Sequence, residues 1–581
     1  MFIVRLQTFL TAANPKSKFP RQFWLGLSLA FAVFYGWQVL QQAFSSEYVA
    51  SDDARQHVFW MQRFLDPQLF PNDLIADYFQ SVAPIGFSTF YHFFATLGIE
   101  PLLLSKILPI VLGIVATGYC FALCLEIFPV PAAGFIASLL FQQNLWMWDD
   151  LASATPRAFL HPIFLAFLYY FVRKSLVPCL VAIALLGGFY PQYVLVASGV
   201  IFLSLFSWEK GRIKWCGGLR DLRFYFSCLT VAFLVILAYA LKSSEFAPTI
   251  TAAEAKRLPE FLPGGRARFF EEDFGRFWLT GERSGIQPTL DPPLLCAGLL
   301  LPFILGLGRF FQSVRYIKPS IHVLRNLFIS GFFWFFTAHT LLFKLHLPGR
   351  YTHHSLRVVL SISAAIALVV LFDTLLEWVK SRSCGYQLGS VCVLLFTFGY
   401  LFGYPASLSD YPRTNYEQIG NYPELYQFFE RQPQEIKIAS LSVEASNIPL
   451  FSHRSILSGY EYAIPYHLGY YDQFRERTFA TIEAQYTPDL DKLKLFIRKY
   501  RVNFWVLDDR AFEVDYLKEN PWIGQYRSDL ADIKKILKRK TKEIPALEAL
   551  TQQCTSDRFG NILIVPSSCI LKADKAYNFL K

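Results

Sequence analysis

Apolar runs dominate the sequence. Each is close to the length a helix needs to cross a bilayer, and each is bounded by charge or turn residues. In chain order they are Phe23–Ala43, Ile107–Leu125, Pro131–Trp148, the short Ala158–Val172, Ser175–Trp208, Phe224–Leu241, Pro292–Gly308, Asn326–Phe343, Val358–Phe372 continuing towards Trp378, and Gly385–Ser409. Ser175–Trp208 carries no charge and is too long for one span. Gly187, Gly188, Tyr190 and Pro191 near its middle predict a tight turn between two short helices. The pattern therefore predicts an α-helical polytopic membrane protein with about eleven spans.

Between the first two runs, residues 84–100 read as an interfacial helix or a half-span. The rhythm changes after residue 409. Ile436–Val443 alternates as a strand does, Leu490–Arg501 is an amphipathic helical stretch, and Val502–Leu507 and Asn561–Val565 are short β-type runs between polar turns. The expected organisation is a tail over 1–22, a membrane bundle over 23–409 with outer loops at 44–83 and 242–291, and a small α/β domain over 410–581.

Composition sharpens this picture. The chain is 53% hydrophobic and 17% charged, too little charge to clothe a soluble protein of 581 residues. A net charge of +10 is compatible with nucleic acid, but the basic residues sit in short segments between apolar runs, so they read as a topology signal and not as a nucleic-acid surface. Placing the N-terminus in the cytoplasm puts the Lys- and Arg-rich segments inside. An odd number of spans then places the C-terminal domain outside an inner (plasma) membrane. The tail before Phe23 is basic, and the run after it lacks a small-residue cleavage site, so that run is expected to remain as an anchor. Among the ten cysteines, Cys554 and Cys569 alone fall in the C-terminal domain. They pair there if the compartment is oxidising and stay as thiols otherwise.

Candidate chemistry lies at the outer ends of the runs. Ser51-Asp52-Asp53-Ala54-Arg55-Gln56-His57 follows the first span. One reading makes Ser51 a helix cap, the acids first-turn residues, and the following Val58, Phe59, Met61, Phe64 and Leu65 an amphipathic interfacial helix. The other makes Asp52 or Asp53 a general base, its pKa raised by the adjacent acid, with the second carboxylate or His57 facing the acceptor. Asp149 and Asp150, with Arg157 and His161, occupy the next outer loop, where they either solvate helix ends or share a cavity with the first pair. Leu347-Pro348-Gly349-Arg350-Tyr351-Thr352-His353-His354-Ser355-Leu356-Arg357 precedes a late span. Its Arg350, Arg357, His353, His354 and Tyr351 suit a phosphate group, or else anchor lipid headgroups by snorkelling. Tyr190 and Gln192 mark a break at the cavity floor or a plain hairpin turn. No spacing demands a metal, and no cofactor is required, although carboxylates so placed admit a divalent cation. Walker, GxSxG, HExxH and Rossmann motifs are absent, as are the mid-span charges of ion pathways.

Together, Asp52-Asp53 after span one, the Tyr190-Pro191-Gln192 break and Leu347-Pro348-Gly349-Arg350-Tyr351 before a late span resemble the GT-C class of membrane glycosyltransferases of bacterial type. The resemblance covers the layout of the whole chain. It implies a donor sugar on a polyprenyl phosphate, a first-loop acid as base, and basic residues near the late spans, Arg350, Arg357 and Arg157 here, holding the lipid phosphate. It further implies inverting transfer to a glycan, lipid or protein acceptor at the outer face. The C-terminal domain has no WWDYG-type motif, which argues against asparagine-linked oligosaccharide transfer. A transporter or flippase for an envelope lipid or glycan, and a non-catalytic scaffold, are the competing readings.

Overall fold

Every apolar run of the sequence is helical in the computed structural model, which describes residues 2–13, 18–209, 212–215, 218–242, 244–288, 290–414, 416, 418–526, 530–538 and 544–573. Helix α1 is Phe2–Thr11, α2 Phe19–Ala43, α3 Ile85–Thr96, α4 Pro101–Ile127 and α5 Pro131–Leu145. Then follow α6 Leu160–Val172, α7 Leu176–Phe189, α8 Gln192–Ser204 and α9 Leu219–Leu241. The late helices are α10 Pro293–Gly306, α11 His322–Thr340, α12 Gly349–Val379 and α13 Cys384–Gly403. Among the described residues six of these are long and apolar enough to cross a membrane, and the shorter apolar ones complete the bundle.

Burial orders the bundle. All residues of α5 are buried, and 72% of the apolar window of α12 is, so these two packed helices form its axis. Only 22% of the window of α9 and 17% of that of α13 are buried. Their Phe and Leu side chains face outward, where hydrocarbon is the natural neighbour. Ser175–Trp208 breaks as expected: α7 stops at Phe189, Pro191 opens α8, and the remainder enters a hairpin of β2 (Phe206–Glu209) and β3 (Arg212–Trp215).

Two local expectations fail. Residues 2–11, read from sequence as part of a polar tail, form α1, which packs on α5 and α12 through Ile3, Leu10 and Thr11. Ser51 caps nothing: its hydroxyl is buried without a partner, and the helix it was expected to start, Ala54–His57, begins after Asp53. The chain then tightens into a 3-10 turn over Phe59–Phe64 with Val58, Phe59 and Met61 buried. Phe64 is half-buried and Leu65 exposed, and the segment is a short 3-10 turn where an amphipathic α-helix was expected.

The C-terminal domain is α/β. A five-stranded sheet runs β6-β5-β7-β9-β8, where β5 is Lys437–Ser440, β6 Ser455–Ile456, β7 Phe504–Asp508, β8 Asp557–Phe559 and β9 Ile562–Pro566. Strands β6, β5 and β7 are parallel, and β9 is antiparallel to β7 and β8. Helices Leu468–Tyr486 and Leu490–Tyr500 connect the parallel part. Cys554 and Cys569 are joined as a disulfide.

The domain is tied to the outer loops. Strand β1 (Val49–Ala50) pairs antiparallel with β4 (Gln418–Ile419), Val49 opposite Ile419. The 242–291 loop joins through Ile250 N–H to Tyr466 O at 3.0 Å and Leu468 N–H to Pro248 O at 2.9 Å. The Tyr78 ring stacks on Tyr470 with centroids 3.8 Å apart.

Candidate functional site

The first-loop acids lie where three outer segments and the C-terminal domain meet. Asp52 and Asp53 stand just before the short Ala54–His57 helix, each half-buried. That helix turns Arg55 and Gln56 inward to the domain. Arg55 bridges Asp52 and Glu461, the latter at 2.9 Å, and donates to Asn447 Oδ1 at 3.2 Å. Gln56 also donates to the Glu461 carboxylate, and Arg266 from the 242–291 loop pairs with its Oε1. Glu461 therefore gathers two outer loops onto the domain.

Asp53 points the other way. Its Oδ2 lies 3.5 Å from Arg157 Nη2, and the same nitrogen is 2.8 Å from Asp149 Oδ2. Arg157 Nε is 3.3 Å from Asp150 Oδ1. Local sequence explains this placement. Thr155 caps the Pro156–Phe159 turn by accepting from Arg157 N–H, so Arg157 sits at the head of α6 and faces back into the loop. The acids of the segment after α2 and of the turn after α5 thus share one guanidinium.

Asp150 leads deeper. Its Oδ2 pairs with Arg357 Nη1 near the start of α12. Arg357, fully buried, also donates to Asn144 Oδ1 at 2.6 Å, His353 Nε2 at 2.8 Å and His161 Nε2 at 3.3 Å. A guanidinium only donates, so both Nε2 atoms accept, and the network assigns the ring proton of each histidine to Nδ1. His354 Nδ1 is 3.9 Å from Asp150 Oδ2.

Electrostatics separates the acids. Burial raises Asp53, Arg157 opposes, and Asp149 and Asp52 add to the rise, leaving its carboxyl at about 7. Burial followed by the Glu461 charge also raises Asp52, against Arg55 and Arg266. Asp150 is the reverse case: burial favours its neutral form, but Arg357, His354, His353 and Arg157 hold it well below the usual carboxylate range. Burial and then Arg157 depress His57 to about 4. One carboxyl titrating near neutrality stands beside another that is permanently charged.

The other sequence candidates divide. His353 and His354 join the cluster through Asp150. Tyr190 is buried beside it, its ring centroid 6.3 Å from that of His354. Gln192 has its Oε1 buried without a partner. Tyr351 donates to Leu345 O at 2.9 Å and so serves its own loop. Arg357 is enclosed by internal partners, which leaves little of it for a phosphate. Arg350 remains half-buried, and among the described residues its side chain has no ion pair. It belongs to a basic flank with Arg283, His467 and Arg157 around His346, which burial first and then Arg350 and Arg283 depress to about 3.

Glu461, Arg266, Arg283, Asn144 and His346 escaped the sequence reading. Among the described residues two groups have ligand atoms close enough for a metal ion: Asp52, Asp53 and Glu461, and Asp150, His353 and His354, within 4.8 Å in each case. The second already holds two guanidinium groups on Asp150, a poor setting for a further cation.

No protein-family model and no curated protein matches the sequence. Solved structures similar in fold include the archaeal oligosaccharyltransferase AglB from Archaeoglobus fulgidus in complex with an inhibitory peptide and a dolichol-phosphate. It is 11% identical, with a TM-score of 0.47, over 87% of this chain and 71% of that one. ArnT from Cupriavidus metallidurans in the apo state is 14% identical, with a TM-score of 0.45, over 95% and 99%. The same protein bound to undecaprenyl phosphate gives 14% and 0.43 over 94% and 98%. At these identities and scores the likeness alone assigns no activity, so the functional reading rests on the residues of the site.

Proposed function

We infer that the protein is a membrane glycosyltransferase that moves a sugar from a polyprenyl-phosphate donor to an acceptor hydroxyl at the outer membrane face, with inversion. The observation that carries this reading is the placement of Asp53: a half-buried carboxyl 3.5 Å from Arg157, which also holds Asp149 and Asp150, in surroundings where burial and the neighbouring acids raise its pKa. A carboxylate near neutrality is suited to take a proton from a sugar hydroxyl. Asp52, engaged by Arg55, orients the pair. The attacking oxygen displaces the phosphate from the anomeric carbon, and the leaving oxygen gathers charge next to a fixed basic flank, of which Arg350 is the open member. Asp150, charged and locked between Arg157 and Arg357, holds Arg157 in place.

The donor class is the one the sequence resemblance implies. Dolichol-phosphate and undecaprenyl phosphate are the lipids bound in the similar AglB and ArnT structures. The paired Cys554 and Cys569 fit a C-terminal domain in an oxidising compartment, and hence a cytoplasmic N-terminus. The Asp52, Asp53 and Glu461 carboxylates lie close enough to share a hard divalent cation, which would have to compete with Arg55 and Arg266 for Glu461. The competing transporter reading has no comparable support, since the buried acid–guanidinium network lies in the loops beside the C-terminal domain and at the start of α12.

The test uses membranes carrying the full chain, a radiolabelled polyprenyl-phosphate sugar and a bacterial envelope extract as acceptor. Transfer is expected from the native chain and a loss of at least about 100-fold in Asp53→Asn. Undiminished transfer in Asp53→Asn and Asp52→Asn alike removes the base assignment. Full activity after chelation with EDTA removes the cation.

A further inference from the structure

A polar stripe runs up the outer end of α2. Gln38, Gln41 and Gln42 follow the spacing i, i+3, i+4 and so share one face of the helix, with Ser45 just beyond its end. Three glutamines in the last turns of a membrane helix are costly against hydrocarbon and imply a polar neighbour. They face a cavity of about 840 Å³, closed on its far side by Asp410, Tyr411, Arg413 and Tyr416 of the segment that leads from α13 into the C-terminal domain. Thr414 donates to Gln42 Oε1 at 2.6 Å, and Arg413 N–H donates to Trp146 O at 2.8 Å, so that segment is fastened at both edges. Gln38 Oε1 is buried with no partner. Among the described residues the Asp410 and Arg413 side chains, both exposed, have no ion pair or hydrogen bond.

A second hollow lies next to the cavity. It is about 210 Å³, shares Asp410, Tyr411 and Arg413 with it and adds Trp148 and Asp291. The Trp148 ring meets His353 of the Asp150 cluster edge-on, with centroids 4.7 Å apart. The second hollow is thus one indole ring from the acid–guanidinium network.

We propose that this groove binds a hydroxyl-rich sugar, and that it is where an acceptor glycan rests. Planar amides, a carboxylate and a guanidinium offer paired donors and acceptors that match vicinal hydroxyls, and the Tyr411 and Trp148 rings offer faces for C–H surfaces. A lipid tail would strand the glutamines, and a simple anion or cation would leave Asp410 or Arg413 facing a like charge. The volume suits one to three sugar rings. Calling the sugar an acceptor rests on the transferase reading; sugar binding itself does not.

Binding is therefore measured without turnover, on the full chain in phosphatidylcholine nanodiscs. One arm uses saturation-transfer NMR with methyl β-galactoside and methyl β-maltoside. The other uses native mass spectrometry with nanodiscs doped with monogalactosyldiacylglycerol or, as control, diacylglycerol. Saturation of the free glycosides assigns a soluble glycan, and selective retention of the galactolipid assigns a glycolipid headgroup. In either case Gln38→Leu/Gln42→Leu is expected to weaken binding about tenfold, while Gly385→Ala, which has open space around it, binds as the native chain does. Binding to neither probe, equal retention of diacylglycerol, or binding untouched in Gln38→Leu/Gln42→Leu and in Asp410→Asn overturns the proposal. Loss of transfer in Asp53→Asn with sugar binding intact separates this site from the base.

Discussion

Asp53 and His57 sit one helical turn apart, and their environments shift them in opposite senses within the same pH range. The Asp53 carboxyl is raised to about 7, so the folded state favours its protonated form. Its contribution to stability is full below the unfolded value near 4 and is lost as pH rises through about 7. His57, depressed to about 4, contributes stability that is present above about 6.5 and is lost as pH falls through about 4. Relative to the native chain, melting temperature in detergent should rise more steeply with pH between about 4.5 and 7 in Asp53→Asn and less steeply in His57→Gln, and parallel curves would refute the shifts. The same ionisation predicts that transfer rises with pH and levels off above about 7. Arg357 is a different case. Replacing it by Met leaves Asp150 buried with one guanidinium fewer, a loss of about 3–5 kcal/mol that a thermal melt would record. At this scale the sequence was half legible. Asp52, Asp53, Asp149 and Asp150 stand out because they interrupt apolar runs. Glu461 does not, since an acid in an α/β domain looks like any surface residue until Arg55 and Arg266 are seen on either side of it.

Helices were the most legible elements because their apolar runs have the length the bilayer imposes. What could not be read was how closely they approach. A Cβ on Gly86 of α3 would lie 2.7 Å from the backbone of Gly188 in α7, and Tyr239 of α9 donates to the neighbouring Gly187 O at 2.9 Å. The Gly187-Gly188 pair reads in sequence as turn chemistry, but it also serves as a packing surface. Gly86→Ala pushes backbone against backbone and is expected to cost about 1–3 kcal/mol, seen as a lower melting temperature, whereas Gly385→Ala, with open space around it, should be neutral. The Ser51 cap fails for a related reason. Capping is a local rule, and here Asp52 and Asp53 are held by Arg55 and Arg157, so tertiary pairing decides where the short helix begins.

For the whole molecule, the topology proposal makes a sided prediction. In sealed vesicles with the C-terminal domain outward, a membrane-impermeant maleimide should label Leu495→Cys, which is exposed on that domain. It should miss the native Cys384, exposed at the start of α13, until the vesicles are opened. Labelling of both in intact vesicles would refute the orientation. Alkylation of Cys554 and Cys569 should require prior reduction.

The two-stranded ribbon between Val49–Ala50 and Gln418–Ile419, with Glu461 beyond it, sets an order of events during synthesis. The first outer loop emerges early, yet the strand that zips to it and the carboxylate that gathers Arg55, Gln56 and Arg266 are made hundreds of residues later. Until then the nascent bundle carries Arg55 and Arg266 without their shared counterpart. A truncated product ending at Gly403 would lack both the partner strand and that carboxylate. The first loop and the 242–291 loop are drawn together only after residue 461 has been translated.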